Sequence, residues 1–559
     1  MAASRSVAAV FAALFAFALL CNAQVPSDNY NSEELLGAEN PQNYTYLAIC
    51  ANATTGKLYP VDGQECEKRV ALGKYRNGMN ESGWGYLEIE TFPQFEPEVQ
   101  AYAAGVAEGI LSREQIYNHY RNTVEGNCKG YTQYCKRLYD YLRKNLDWIE
   151  GQVKQQTKQD LFWRQVNLTF TQLTGMTDAY MKKDFSPAVK FELNPVYMIQ
   201  LSGELIDLNK FLKRKPDPVH DDPDPGKCSG LVKLTEGNKD LLFSHVAMSG
   251  YNTMNRVLKL YKFAFNKTEV PGHTQSFSGY AGQLASADDY TLISSGLASI
   301  ETTISIFNET LYTDEFMKPV GQLHCWVRSM VANSLAKTGR DWVKHFARYN
   351  SGTYNNQWTV LDYKLFKPGQ ELPKEGVLWV QEQVPGYTLA RDMTWFLRKY
   401  NGFDVKGSSF NWYRWGYSPR ARIFARDQHL VTDIPSLRKL MRYNDYTHDE
   451  FSKCKCNPPY TAEAGISARG DLNPANGTFE LEGMGHRNHG SLDYKGTDYE
   501  HFKQLRFEAI GGPTYNEPTV PVFSWATTDI VSPHFGQPTV WKFDPVITEW
   551  ETPVEVDLE

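Results

Sequence analysis

One stretch constrains the fold of this chain more than any other: Asp224-Pro-Gly-Lys227-Cys228-Ser-Gly-Leu-Val-Lys-Leu-Thr235. A Pro/Asp-rich run, residues 216–225, ends at a cysteine. Pro and Gly disfavour regular structure before that cysteine. Behind it come two short apolar runs, Leu231–Leu234 and Leu241–Val246, split by the turn-like Glu236-Gly-Asn-Lys-Asp240. That pattern predicts a β-hairpin. A cysteine opening a strand behind a dispensable linker occupies the place of an N-terminal nucleophile, with Lys227-Cys228 as the bond to be cut.

A thiol attacks as its thiolate, so something close by must take the proton. If Cys228 becomes the first residue, its own α-amine titrates near pH ~8 and can serve as the base. Before cleavage the same thiol can attack the Lys227 carbonyl. His245 sits on the second arm of the hairpin, from which it can reach the Cys228 neighbourhood. Each feature has a plainer reading. A cysteine in an exported protein is usually half of a disulfide, a lone histidine is usually a satisfied core residue, and a Pro/Asp run is usually a loop.

Export is expected here. Residues 1–23 read as a signal peptide: Arg5 as the n-region, Val7 to Leu20 as the apolar h-region, and Cys21-Asn-Ala23 as the cleavage site. No later segment has the ~18 apolar residues of a membrane helix. Sequons at Asn43, Asn52, Asn80, Asn167, Asn266, Asn308 and Asn476 agree with a glycoprotein. Beyond Cys21, eight cysteines remain. Cys128 and Cys135 are spaced for a small loop, and so are Cys50 and Cys66. Cys454 and Cys456 are close for an unstrained bridge, although such links occur. Cys228 and Cys325 are left over, and even parity permits them to pair.

Residues 24–82 read as irregular and 83–91 as a strand. Helical periodicity runs from Val99 to Ile110 and on to Tyr120, then over about 131–166, 171–181 and 201–211. This makes the portion before the linker (24–211) mainly helical. Residues 212–227, with the basic triplet Lys213-Arg-Lys215, form the candidate excised linker. From Cys228 strands are predicted over 229–235, 241–248, 256–265, 274–280, 290–295, 298–306, 357–366, 377–384 and 407–417, with one helix over 320–349. Runs of strands flanked by runs of helices indicate an α+β class. Rival chemistries lack their motifs: there is no Gly-x-Ser-x-Gly elbow, no His-Glu-x-x-His and no phosphate-binding glycine loop. The net charge of -7 gives no support for nucleic-acid binding.

Motifs along the whole second part resemble the phospholipase B-like family. They are Lys227–Leu242, Ser299–Ile304, Asn350–Trp358, Ser418-Pro-Arg-Ala421, Leu440–Asp445, Ile466–Asn476 and Gly536-Gln-Pro538 with Trp541-Lys-Phe543. The resemblance implies an N-terminal nucleophile (Ntn) hydrolase with a four-layer αββα sandwich. It also implies cleavage before Cys228 into two chains (24–211 and 228–559) that stay packed together, in the lysosome lumen or outside the cell. It implies deacylation of glycerophospholipids, with an amidase on N-acyl lipids or peptides, or a non-catalytic lipid-binding glycoprotein, as the alternatives. No cofactor or metal is called for, and a homodimer stays open. By motif, Cys228 is the nucleophile, His245 and Thr303 line the site, Asn401 (or Asn356) supplies the oxyanion donor, and Arg420 orients nucleophile or substrate. Relatives carry Trp three residues after the histidine, where this chain has Met248, so the acyl pocket is expected to differ.

Overall fold

The computed structural model describes residues 43–215, 228–405, 412 and 416–558. The expected signal peptide, the cut residue Lys227, most of the linker and nearly all of the 407–417 strand lie outside these residues. The strands, in chain order, are β1 (Thr45–Ala51), β2 (Leu58–Asp62), β3 (Arg69–Gly78), β4 (Trp84–Thr91), β5 (Ser229–Leu234), β6 (Leu241–Val246), β7 (Met248–Ser249), β8 (Arg256–Lys262), β9 (Thr274–Tyr280), β10 (Tyr290–Ile293) and β11 (Leu297–Thr303). They continue as β12 (Asn356–Asp362), β13 (Leu378–Val384), β14 (Tyr387–Asp392), β15 (Gly402–Val405), β16 (Gly490–Ser491), β17 (Asp493–Thr497), β18 (Glu508–Gly511), β19 (Phe523–Ser524), β20 (Val540–Trp541) and β21 (Val546–Ile547).

Two sheets carry the mixed α+β architecture. An eleven-stranded sheet runs β14-β13-β12-β11-β10-β9-β8-β4-β3-β1-β2, and a six-stranded sheet runs β15-β5-β6-β17-β18-β21. Within the large sheet every neighbour is antiparallel except β4 and β8, which pair in parallel from Gly85↔Val257 to Glu90↔Lys262. That pair joins the portion before the linker to the portion after it. The expectation of an irregular segment over 43–82 is therefore corrected: it forms three strands and, with β4, one flank of the large sheet. Leu47-Ala-Ile-Cys50 is a buried run without polar alternation, and turns at Gly56 and Gly63, both at positive φ, punctuate the meander.

Alternation along the strands sorts the core. Leu87 and Val257 face helices Pro97–Leu111 and Leu161–Tyr180, packing with Tyr102, Val106, Phe170 and Met176. The other face of the large sheet (Trp84, Leu258, Leu260, Ile300) meets Val232, Leu234, Leu241 and Phe243 of the small sheet. The small sheet's far face, Leu231, Leu242 and Tyr494, packs on Phe424, Leu437 and Leu440 of two further helices. The period-2 rule puts adjacent residues such as Leu231 and Val232 into different cores.

The hairpin stands as expected, with Ser229↔Val246 at one end and Leu234↔Leu241 at the other. The single helix expected over 320–349 is two, Cys325–Leu335 and Gly339–Ala347. Thr338 restarts the second by accepting the Asp341 N–H (3.1 Å), an N-cap that satisfies one of the donors exposed at a helix start.

Candidate functional site

Cys228 lies directly before β5, buried, with a free thiol. The disulfides are Cys50–Cys66, Cys128–Cys135 and Cys454–Cys456. Cys325, the other free cysteine among the described residues, is buried on its own helix, and the two do not pair. Parity with Val232 and Leu234 turns the Cys228 side chain toward the large sheet. His245 shares that face with Leu241 and Phe243, and its Nε2 lies 2.8 Å from the Glu301 carbonyl of β11. A carbonyl can only accept, so Nε2 carries the proton and donates. Nδ1 is buried with no hydrogen-bond partner among the described residues. Burial holds His245 well below the usual histidine range, so the ring is neutral.

The Cys228 thiol is pushed well above its ordinary value, first by burial and then by the carboxyls of Glu301 and Asp289. The Met248 backbone N–H and the Lys495 ammonium act in the opposite direction. In the uncut chain the thiol is therefore protonated. Arg420, in the first turn of helix Pro419–Asp427, fixes the backbone at this point. Its Nη1 donates to the Cys228 carbonyl and to Ser229 Oγ, both at 3.1 Å, and lies 3.5 Å from Met248 Sδ. Ser229 Oγ in turn donates to the Ile466 carbonyl (2.8 Å). Met248, the departure noted from sequence, thus touches the residue that holds the nucleophile's main chain.

Thr303 ends β11, half-buried, opposite Asn356. Its neighbour Thr302 shares a face with Ala298 and Ile300, toward the small sheet. Thr302 is buried, and its Oγ1 has no hydrogen-bond partner among the described residues. Asn356 is fully buried with neither amide atom partnered among them. Asn401 is not brought to the site. It caps helix Thr394–Tyr400 in the left-handed conformation, is exposed, and its carbonyl accepts from Leu234 N–H at 3.1 Å. Leu234 is the far end of β5, and six extended residues separate it from Cys228 by about 20 Å. The reason is the antiparallel register of β15 on β5, Gly402↔Lys233 through Val405↔Gly230, which starts at that far end.

Sequence reasoning missed the charged groups around the thiol. Arg256, Asp288, Asp493 and Lys495 form a fully buried quartet. Arg256 bridges both carboxylates, and Lys495 Nζ lies 2.7 Å from Asp493 and 3.1 Å from Asp288. Asp493 also accepts the Ala247 N–H (2.9 Å), and Lys495 stands opposite His245 across the β17–β6 ladder. Burial lowers Lys495 to about 8. Behind β11, Tyr354 donates to Asp289 (2.8 Å). Burial raises Asp289 to about 6, and raises Glu301 well above the usual range with the Asp289 carboxyl adding to it. The sequence signal was two charges, Asp493 and Lys495, at alternate positions of a short strand. Their partners are remote in the chain.

Six of the seven sequon asparagines are exposed. Asn167 is not: it is buried inside helix Leu161–Tyr180, so its expected glycosylation is corrected, since a glycan must lie on the surface. Among the described residues no helix is long and apolar enough to cross a membrane, and no cluster of three or more His, Cys, Asp or Glu could hold a metal.

The sequence pattern of the Phospholipase B family matches residues 71–548. Phospholipase B-like 3 of Caenorhabditis elegans is 57% identical over 539 residues, covering 92% of each chain. Human phospholipase B-like 2 is 39% identical over 535 residues and 90% of each chain. Phospholipase B-like protein C of Dictyostelium discoideum is 31% identical, over 86% of this chain and 87% of its own. With agreement of this extent spanning both sheets and the Cys228 hairpin, the chain belongs to the phospholipase B-like family.

Proposed function

We propose that this chain is an acyl hydrolase activated by cleavage before Cys228, deacylating glycerophospholipids in the lysosome lumen or outside the cell. On this reading the sheets and their two outer helical layers are the αββα sandwich of an Ntn hydrolase. The signal peptide is removed, residues 212–227 are excised, and the two pieces stay together as a glycoprotein. The observation that carries it is Cys228 itself: an unpaired, buried thiol at the start of a strand, with its carbonyl held by Arg420. Family membership supports the substrate class, since the relatives are named for phospholipase B.

The chemistry follows from the thiol being held protonated. Cleavage frees an α-amine on the same residue, a base that is neutral near pH ~8. The amine takes the thiol proton, sulfur attacks the acyl carbonyl, and the proton passes to the departing glycerol oxygen as the ester bond breaks. Water, deprotonated by the same amine, then splits the thioester and returns the thiol. Asn356 is the candidate donor to the tetrahedral oxyanion, because its buried amide has no hydrogen-bond partner among the described residues. Thr302 and Thr303 line the floor, and Met248 shapes the acyl pocket.

N-terminal sequencing of the mature protein tests this, alongside Cys228→Ala. A wild-type fragment beginning at Cys228 and absent from the variant is the expected result. An intact wild-type chain that releases no fatty acid from phospholipid overturns it and leaves a lipid-binding glycoprotein.

A further inference from the structure

The open edge of the large sheet carries a surface that the catalytic reading does not use. β14 is the edge strand, and Tyr387, Leu389 and Arg391 alternate along one of its faces, all exposed. They stand opposite Val384, Glu382 and Val380 of β13. The row continues inward through Gln357, opposite Glu382, to Thr302, opposite Gln357. At ~4.8 Å per strand, the exposed Leu389 is about 15 Å from Thr302 across one continuous sheet face. Helix Thr394–Tyr400 follows directly and exposes Trp395 and Tyr400. Tyr387 and Leu389 are each 58% exposed, Trp395 54% and Tyr400 47%, unusual for four large apolar side chains within fourteen residues.

Residues 387–400 taken alone are basic, and the acids beside them are engaged: Glu382, opposite Leu389, accepts from Gln357 (2.5 Å), and Glu371 pairs with Arg398. Residues 387–400 hold Arg391, Arg398 and Lys399 against one acid, Asp392, in a protein of net charge -7. Asp392 is turned inward, accepting from Gly376 N–H (2.5 Å) and Thr394 N–H (2.9 Å). Lys399 lies over the Tyr400 ring at 5.0 Å, and Arg398 lies 3.7 Å from the exposed Glu371. Exposed aromatic and aliphatic side chains set among basic ones match the two layers of a lipid surface, apolar boundary and anionic headgroups.

We propose that this edge docks on an anionic phospholipid bilayer. The docking does not depend on how Cys228 is activated, so its failure and that of the catalytic reading are separable. The full chain is mixed with phosphatidylcholine vesicles, with and without about 30% phosphatidylglycerol, and the bound fraction is read by flotation. Binding should require the anionic lipid, weaken with salt, and persist in Cys228→Ala. Trp395→Glu and Leu389→Glu should each weaken binding roughly tenfold, and their melting temperatures should match wild type because both sites are exposed. If Leu389→Glu alone melts early, Trp395→Glu carries the comparison. The proposal is overturned if wild type ignores both vesicles or if folded variants bind as it does. It is equally overturned if the substitutions instead convert a wild-type dimer to monomer, which would make this edge a contact between copies.

Discussion

Glu204 is 1% exposed and accepts the Trp326 N–H at 3.1 Å, yet burial raises its carboxyl from 4.5 to about 7. A folded-state value above the unfolded one gives stability that is fully present below pH 4.5 and lost as pH rises through about 7. Glu204→Gln, which keeps an acceptor and cannot ionise, should remove that loss. At pH 7 it should stabilise relative to its effect at pH 4.5 by on the order of 3 kcal/mol. Urea midpoints of both proteins at the two pH values check this, and equal differences would reject it. The comparison must be between proteins, because buried His119 and His324, each lowered to about 3, act oppositely and cost stability as pH falls below 6.5. Individual site residues were legible where chemistry and local order coincide. Cys228 and His245 stand side by side because a hairpin fixes its own register, whereas Arg420, assigned by resemblance alone, reaches the Cys228 carbonyl from a helix remote in the chain. Asn401 was not legible, because nothing local to it says at which end β15 meets β5.

At the scale of elements, helices Pro97–Leu111 and Leu161–Tyr180 cross in near contact. A Cβ at Gly105 would stand 1.9 Å from the Gln172 carbonyl oxygen, and one at Gly175 2.1 Å from that of Tyr102. Both obstacles are backbone, so the helices must separate to admit a methyl group. Gly105→Ala should therefore lower stability by about 3 kcal/mol despite alanine's better helix propensity, whereas Gly151→Ala, with open space around it, should be neutral or better. Thermal melts of the two variants decide between crowding and propensity. The helices of this portion were legible from period. β1 to β3 were not, because the Asn- and Gly-rich turns around them mask strands whose partners are other strands of the same meander. The break before Gly339 was visible in Thr338-Gly-Arg-Asp341, but apolar spacing on both sides ran the two helices together.

The whole molecule depends on the parallel β4–β8 pair, which sets four strands from before residue 216 against seven from after residue 227 in one sheet. The α+β class and the shift to strands after Cys228 were legible. This union was not, since β4 and β8 are separated by the helical block and the linker. The two portions share a continuous core on the helical face of the large sheet, so neither can bury its apolar surface without the other. A cut between 216 and 227 should leave the two pieces co-eluting at the size of the intact protein in size-exclusion chromatography, and separate elution would reject this.

Unfolding is where the cut becomes visible. With the linker whole, β4 finds β8 within one chain at a cost set by loop closure. With the linker cut, the same pairing is a meeting of two molecules. Recovery from denaturant should then fall with dilution for the cut protein and be independent of dilution for the uncut one, and equal recovery at every concentration would refute this. A cut copy would therefore persist by the slowness of its unfolding rather than by any ability to fold again, and its working life would be a rate.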